Sequence, residues 1–323
     1  MEENKQSIVN TTVKTGRNTF LLDLIRGIGI GVAFIIPGFS GGSVAAILGI
    51  YEKLIGAVAD IFKSFKKSFI TLLPIAIGLV IGAVSLLFPL EWALGKIPFP
   101  TVSLFVGLTI GCLPSLTANL TGKFKWTNAV AFIIPMVLTL LLSFAPVGSD
   151  VDLYSLTFGG YILLFIIGII GSSALVIPGI SGSMLLLILG YYNPIVKMIT
   201  GLIKTFKSIL VGEEYSSDSI LSSVLVIGSV GLGIVVGFIG ISVIMKVLFK
   251  KCPRGTYFAI IGFIVGSLPT VYASTYKDGE FTPETMPTSP IYWISCVFAL
   301  AFGMALSLFL VLSSRKKKNS TEN

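Results

Sequence analysis

Apolar residues run along this 323-residue chain in long, near-continuous blocks, and polar residues gather between them. Blocks without period-2 alternation read as helices rather than as the strands of a barrel. Six of them, at about 69–89, 101–119, 128–146, 221–248, 256–275 and 291–312, approach the ~20 apolar residues a helix needs to cross a bilayer. Two further stretches, 20–59 and 158–203, behave differently. Each carries two apolar arms of roughly 15 residues, separated by a Pro-Gly-x-Ser-Gly element. Such arms are short for a span and suit half-helices, so each stretch is predicted to be a re-entrant hairpin that enters and leaves on one side.

The hairpin stretches also carry an internal repeat. Residues 37–51 read PGFSGGSVAAILGIY and residues 178–192 read PGISGSMLLLILGYY, a constant offset of 141. The register continues through Lys63–Lys66 and Lys204–Lys207. An insertion near Glu213–Ser219 then shifts the offset to 155, at which Gly78/Gly233, Gly82/Gly237, Gly107/Gly262, Gly111/Gly266 and Pro114/Pro269 correspond. Collinear matches of this extent make the chain two copies of one plan. The copies are placed at 20–149 and 150–313, with a polar tail at 1–19 and a basic tail at 314–323. Three spans per copy is an odd number, so the copies are expected to insert with opposite orientation. The predicted fold is all-α: a polytopic membrane protein of two inverted repeats, each a re-entrant helical hairpin plus three transmembrane helices.

Composition narrows the chemistry. Charged residues make up 12% of the chain, about half the share in soluble domains. Histidine is absent, which removes the commonest general base, metal ligand and pH switch. Cys112, Cys252 and Cys296 lie far apart and form neither a metal spacing nor a disulfide framework. No carboxylate cluster suggests a metal, so no cofactor is expected. The net charge of +8 is read as membrane topology rather than as nucleic-acid binding. With the N-terminus in the cytoplasm, Lys63, Lys66, Lys67, Lys123, Lys125, Lys250, Lys251, Arg254 and the run Arg315–Lys318 fall inside. Asp150, Asp152, Asp278, Glu280 and Glu284 fall outside. Both termini are then cytoplasmic. Asp23 and Arg26 in the first apolar stretch, with no small-residue cleavage site, argue against a cleaved signal peptide.

The duplicated element is the strongest candidate for function. Proline ends the first arm, and glycine allows reversal and close backbone approach. Ser40 or Ser43, and Ser181 or Ser183, can cap the helix that follows. Free amides at a helix start, with glycine-rich turns, receive anions. The candidate substrate-binding residues are therefore Gly38, Ser40, Gly41, Gly42 and Ser43, and Gly179, Ser181, Gly182 and Ser183. The plain alternative is that these residues only permit a helix break. One copy would favour that alternative; two equivalent copies favour a binding site. Arg26 lies 11 residues before Pro37, ~16 Å along a helix, and is a candidate gate or admission ligand at the base of the hairpin. Glu52 is its candidate partner, and Asp23 is expected to lie at the membrane interface. The second copy has Ile167 and Asn193 in place of Arg26 and Glu52. The four-spaced glycines of the spans are read as helix packing.

PGFSGGS followed by LGIYEKLI, and later LVIPGISGSMLLLILGYYNPI, resemble the paired signatures of the bacterial polyprenyl-phosphate translocases, among them the PopT-type undecaprenyl-phosphate carriers. The resemblance runs from about Leu21 to Leu312. Ser43 stands where the family's first signature usually has Thr, which keeps the hydroxyl. The resemblance implies a flippase rather than an enzyme. It also implies recycling of undecaprenyl phosphate from the outer to the inner leaflet for peptidoglycan and teichoic-acid synthesis. The expected partners are a polyprenyl phosphate lipid and the cell membrane, with no nucleic acid, and the sequence leaves room for a homo-oligomer. Residue chemistry alone also accommodates a secondary transporter of a small anion. A lipid phosphatase is disfavoured by the absence of histidine and of a carboxylate cluster. A purely structural protein would tolerate loss of the motif serines and glycines.

Overall fold

A computed structural model describes residues 17–35, 41–117, 120, 125–154, 156–211, 217–277 and 289–319. These form helices α1 (Arg17–Ile35), α2 (Gly41–Ile47), α3 (Tyr51–Ala59), α4 (Phe65–Lys96), α5 (Pro98–Thr117) and α6 (Trp126–Phe144), then α7 (Phe158–Val176), α8 (Gly182–Ile188), α9 (Tyr192–Val211), α10 (Ser217–Lys251), α11 (Pro253–Lys277) and α12 (Pro290–Asn319). No strand occurs among the described residues. Among the described residues, five helical segments, Phe65–Leu86, Trp126–Phe144, Phe158–Val176, Ile220–Lys251 and Pro290–Phe309, are long and apolar enough to cross a membrane. Two bent pairs, Phe88–Lys96 with Pro98–Gly111 and Gly182–Ile188 with Tyr192–Thr205, could each supply another. Large apolar side chains such as Val84, Leu141, Val235 and Phe298 face outward, as a lipid-immersed surface requires.

The expected half-helical arms need correcting. The first arms, α1 and α7, have 19 residues each, ~28 Å of helix, and α7 passes as a full span. The second arms are shorter than expected, because each is broken again after seven residues. Gly49 has φ +67° and Gly190 has φ +77°. The amides of Gly49 and Ile50 bond to Ala46 O (3.1 Å) and Ala45 O (3.0 Å), and those of Gly190 and Tyr191 to Leu187 O (3.0 Å) and Leu186 O (2.9 Å). This 5→2 and 6→1 pattern is the Schellman helix stop, for which glycine suits the left-handed position. The chain turns 108° between α8 and α9.

Glycines set the pairing of the long helices. A methyl on Gly78 or Gly82 would run into the backbone of Leu24 or Ile28, and one on Gly233 or Gly237 into that of Phe165 or Ile169. Likewise Gly107 and Gly111 sit against Leu300 and Met304, and Gly262 and Gly266 against Phe132 and Met136. Residue numbers rise together in all four contacts, so α1/α4, α7/α10, α5/α12 and α6/α11 are parallel pairs. Two of these pairs lie within a copy and two exchange the third span between copies. Phe132 and Met136 thus stand opposite α11 as Leu300 and Met304 stand opposite α5, an offset of 168 residues that extends the repeat into the third span.

A buried apolar cluster joins the copies where α2 and α3 meet α7, α10 and α11; Ala45, Ile50, Ile55, Val176, Ile260 and Ile264 are among its members. Several buried hydroxyls in the bundle bond within their own helices, as in Thr109 to Phe105 O (2.9 Å) and Ser242 to Phe238 O (2.6 Å). The basic tail continues α12 to Asn319. The acidic segment with Asp278, Glu280 and Glu284 and the insertion at Glu213 lie outside the described residues.

Candidate functional site

The second break begins where α7 ends at Val176. Pro178 is buried, and Gly179 follows with φ +87°. A Cβ on Gly179 would strike the Phe263 carbonyl and lie 2.8 Å from the Ile264 amide, so only glycine lets the turn seat on α11. Ser181 stands at the N-cap of α8 but makes no side-chain cap bond. Its hydroxyl meets that of Ser183 at 3.1 Å instead. The expected serine cap is therefore not made here; two hydroxyls are paired beside the break. Gly182 lies close to α7, where an added Cβ would stand 3.1 Å from the Gly171 carbonyl. Ser181 and Gly182 are half-buried and Ser183 is exposed. A small pocket lies between this break and α6, lined by Gly179, Ser181, Met184, Thr139 and Ser143 among others. Thr139 and Ser143, which sequence reasoning passed over, donate to Pro135 O (2.6 Å) and Thr139 O (2.9 Å). Their signal was modest: hydroxyls four residues apart in an apolar span.

In the first copy the described residues equivalent to these are enclosed. Gly38 and Ser40 lie outside the described residues, while Gly41, Gly42 and Ser43 are all buried at the start of α2. Helix α2 packs against α5 and α7, and the second break seats on α11. At the described positions the two copies are thus unequal: Gly41, Gly42 and Ser43 are buried, whereas the equivalent Gly182, Ser183 and Met184 are half-buried or exposed. The helix after each break has seven residues, and the paired serine hydroxyls stand beside the second.

The charged residues of the first hairpin are arranged differently from the expected Arg26–Glu52 pair. Asp23 is buried, with 3% of its surface exposed. It accepts from Arg26 Nη1 at 3.4 Å and from the Lys53 ammonium. Glu52 accepts from the Tyr257 hydroxyl on α11. Asp60, at the end of α3, pairs with Lys246 of α10, and the Tyr51 hydroxyl donates to the Val176 carbonyl at 2.6 Å. Lys53 was missed because its partner is 30 residues away and on another helix. In the second copy, Asp150 of the α6–α7 connector accepts from Lys197 and Asn193, each at 3.1 Å. The hydrogen bond from Lys197, then that from Asn193, holds the Asp150 carboxyl below its ordinary range.

The family model described as undecaprenyl phosphate translocase-like matches residues 30–286. A relative from Staphylococcus aureus (strain NCTC 8325 / PS 47), called a polyprenyl-phosphate transporter, is 29% identical over 90% of this chain and 95% of its own. A second, of the same description, from Vibrio cholerae serotype O1 (strain ATCC 39315 / El Tor Inaba N16961), is 32% identical over 30% of each chain. No solved structure matches. The family match takes in both Pro-Gly breaks, the buried α2 start and the paired serines, so this multi-pass helical chain belongs to the undecaprenyl phosphate translocase-like family.

Proposed function

We propose that this chain carries undecaprenyl phosphate from the outer to the inner leaflet of the bacterial cytoplasmic membrane, returning the lipid carrier to peptidoglycan and teichoic-acid synthesis. The phosphate passes along the two Pro-Gly breaks and the polyprenyl tail stays in lipid, so no sealed aqueous channel is needed. The role is transport, with no bond made or broken. The unequal exposure of the two breaks carries the reading. Ser181, Gly182 and Ser183 are reachable, whereas Gly41, Gly42 and Ser43 are buried. A carrier in which the second break is reachable while the helix start after the first is buried is poised to receive a headgroup on one side.

The parallel pairs support an inverted arrangement. Helix α4 runs in the direction of α1, so α1–α3 is an excursion that returns to its starting side. The same holds for α7–α9 before α10. Two such returns and three spans per copy put the copies in opposite orientation, with both termini cytoplasmic by the lysine and arginine distribution. The open second break then faces the outer leaflet, and Arg26 acts near the inner one.

The test is leaflet exchange of undecaprenyl phosphate in liposomes holding the purified chain, compared with undecaprenol and inorganic phosphate. Exchange of the lipid phosphate alone is expected. Uptake of inorganic phosphate without lipid exchange would make the chain a small-anion transporter.

A further inference from the structure

We propose that Arg26 and Lys53, gathered on Asp23 at the base of the first hairpin, form a second docking site for a lipid phosphomonoester, in which Asp23 holds the place of the phosphate until it arrives. The inference rests on the lipid-phosphate reading and adds a station that the Pro-Gly breaks do not provide.

The cluster has two cations and one anion. Asp23 meets Arg26 through one carboxylate oxygen and Lys53 through the other. The Arg26 contact, at 3.4 Å, is longer than a well-formed hydrogen bond, so this fork is loosely committed. Glu52, beside Lys53 in the chain, turns its carboxylate to Tyr257 and leaves the positive excess in place. An arginine fork and a lysine ammonium are the side chains that suit phosphate oxygens.

Accessibility fits an amphiphile. The Asp23 side chain is 4% exposed, whereas those of Arg26 and Lys53 are 36% and 29% exposed. Leu22 and Ile25, four and one residues before Arg26, are exposed apolar side chains, as is Leu21. The cations therefore open beside a surface suited to hydrocarbon. A headgroup could engage them while its tail lies along α1.

Folding does not require charge at this place. The repeat-equivalent positions of Asp23, Arg26 and Lys53 are Leu164, Ile167 and Pro194. Leu164 and Ile167 are buried in an apolar cluster with Tyr191, Ile195 and Val226. One copy of the plan thus packs oil where the other packs an ion cluster. Ionised groups in membrane segments are costly, and those retained there are usually functional. Arg26 is ~16 Å of helix from the first break, so a headgroup must leave one station to reach the other.

The experiment measures binding of undecaprenyl phosphate, undecaprenol and inorganic phosphate to the full chain in nanodiscs, beside liposome exchange. Arg26→Gln and Lys53→Gln should each weaken undecaprenyl phosphate binding about tenfold without changing undecaprenol uptake, and Arg26→Lys should restore part of the loss. Asp23→Asn should tighten lipid-phosphate binding and slow exchange, because nothing competes for the cations. A merely structural ion pair would give the reverse: a less stable chain with no tighter binding. The triple variant Asp23→Leu, Arg26→Ile, Lys53→Gln copies the apolar packing of the second copy and should fold yet lose the site. Normal lipid-phosphate binding by that folded variant overturns the inference while leaving the transport reading intact. Absence of lipid-phosphate exchange by the unaltered chain overturns the transport reading itself. Inorganic phosphate binding as tightly as the lipid makes this a free-anion site and overturns the lipid assignment.

Discussion

Gly179 and the serines after it separate what holds the second break from what it can bind. A side chain at position 179 is opposed twice, by φ +87° and by the α11 backbone at Phe263. Gly179→Ala should cost ~1–3 kcal/mol, seen as a lower melting temperature in detergent. Ser181 and Ser183 bond to each other and reach solvent, so removing both hydroxyls should leave that temperature nearly unchanged. If the hydroxyls hold phosphate, the double alanine variant should lose ~1–3 kcal/mol of lipid-phosphate binding per hydrogen bond. Equal binding by this stable variant would remove the serines from the site. Pro-Gly-x-Ser-Gly was legible as a break because proline and glycine act through their own backbones. The serine cap was not, because a hydroxyl chooses among neighbours that only the folded chain supplies. The pairing of Asp23 with Lys53 was not legible for the same reason, since the two lie 30 residues apart on different helices.

At the scale of elements, hydropathy located six long helices well, for instance 128–146 against Trp126–Phe144, although α5 and α11 do not by themselves pass as spans and α7, expected as a half-helical arm, does. It marks apolar length and is silent about direction, so the second stop within each hairpin went unread. That stop was nonetheless written in the chain, since Leu48-Gly49 and Leu189-Gly190 each end a short helix with a left-handed glycine. The two turns share a pattern and differ in surroundings. Nothing lies within 4 Å of a Cβ built on Gly49, whereas one on Gly190 would meet the Ser149 carbonyl. Gly49→Ala should cost ~1–2 kcal/mol, the strain of a left-handed residue, and Gly190→Ala distinctly more; thermal unfolding of the two variants compares them directly. The α6–α7 connector clamps that second turn through Gly148 N to Leu187 O and Val151 N to Gly190 O, both 3.1 Å. Asp150 adds its bonds to Lys197 and Asn193. Because its folded pKa is lowered, this contribution is present at neutral pH and is lost as pH falls below the ordinary value of 3.8 through the folded one. Amide exchange at 148–151, relative to an Asp150→Asn control, should accelerate only in that acid range.

For the whole molecule, the repeat explains which helices meet, and its imperfections explain why the two ends differ. The parallel glycine pairs occur at equivalent places in both copies, yet α3 carries ties that its counterpart α9 lacks. Asp60 holds Lys246, Glu52 holds Tyr257, and the Tyr51 ring meets Phe249, itself edge-on to Tyr257. The positions equivalent to Asp60, Glu52 and Tyr257 are Gly201, Asn193 and Val102, which cannot reproduce those ties. The fastened side is also the side on which Gly41, Gly42 and Ser43 are buried. Loosening α3 should therefore uncover the start of α2. Lys246→Asp sets two carboxylates against each other at a site where the side chains are 46% and 32% exposed. Pairs so exposed are worth up to ~1 kcal/mol, so overall stability should fall only slightly. The sensitive measurement is a cysteine at position 43, in a chain with Cys112, Cys252 and Cys296 replaced, labelled by a membrane-permeant maleimide. Lys246→Asp should speed its labelling about fivefold, the equivalent of ~1 kcal/mol. Adding Asp60→Lys, which restores the pair with its charges exchanged, should return the rate towards the starting value. A rate that ignores both changes would mean that position 43 is covered by the apolar cluster alone, and that the charged clasp between α3 and α10 has no part in uncovering it.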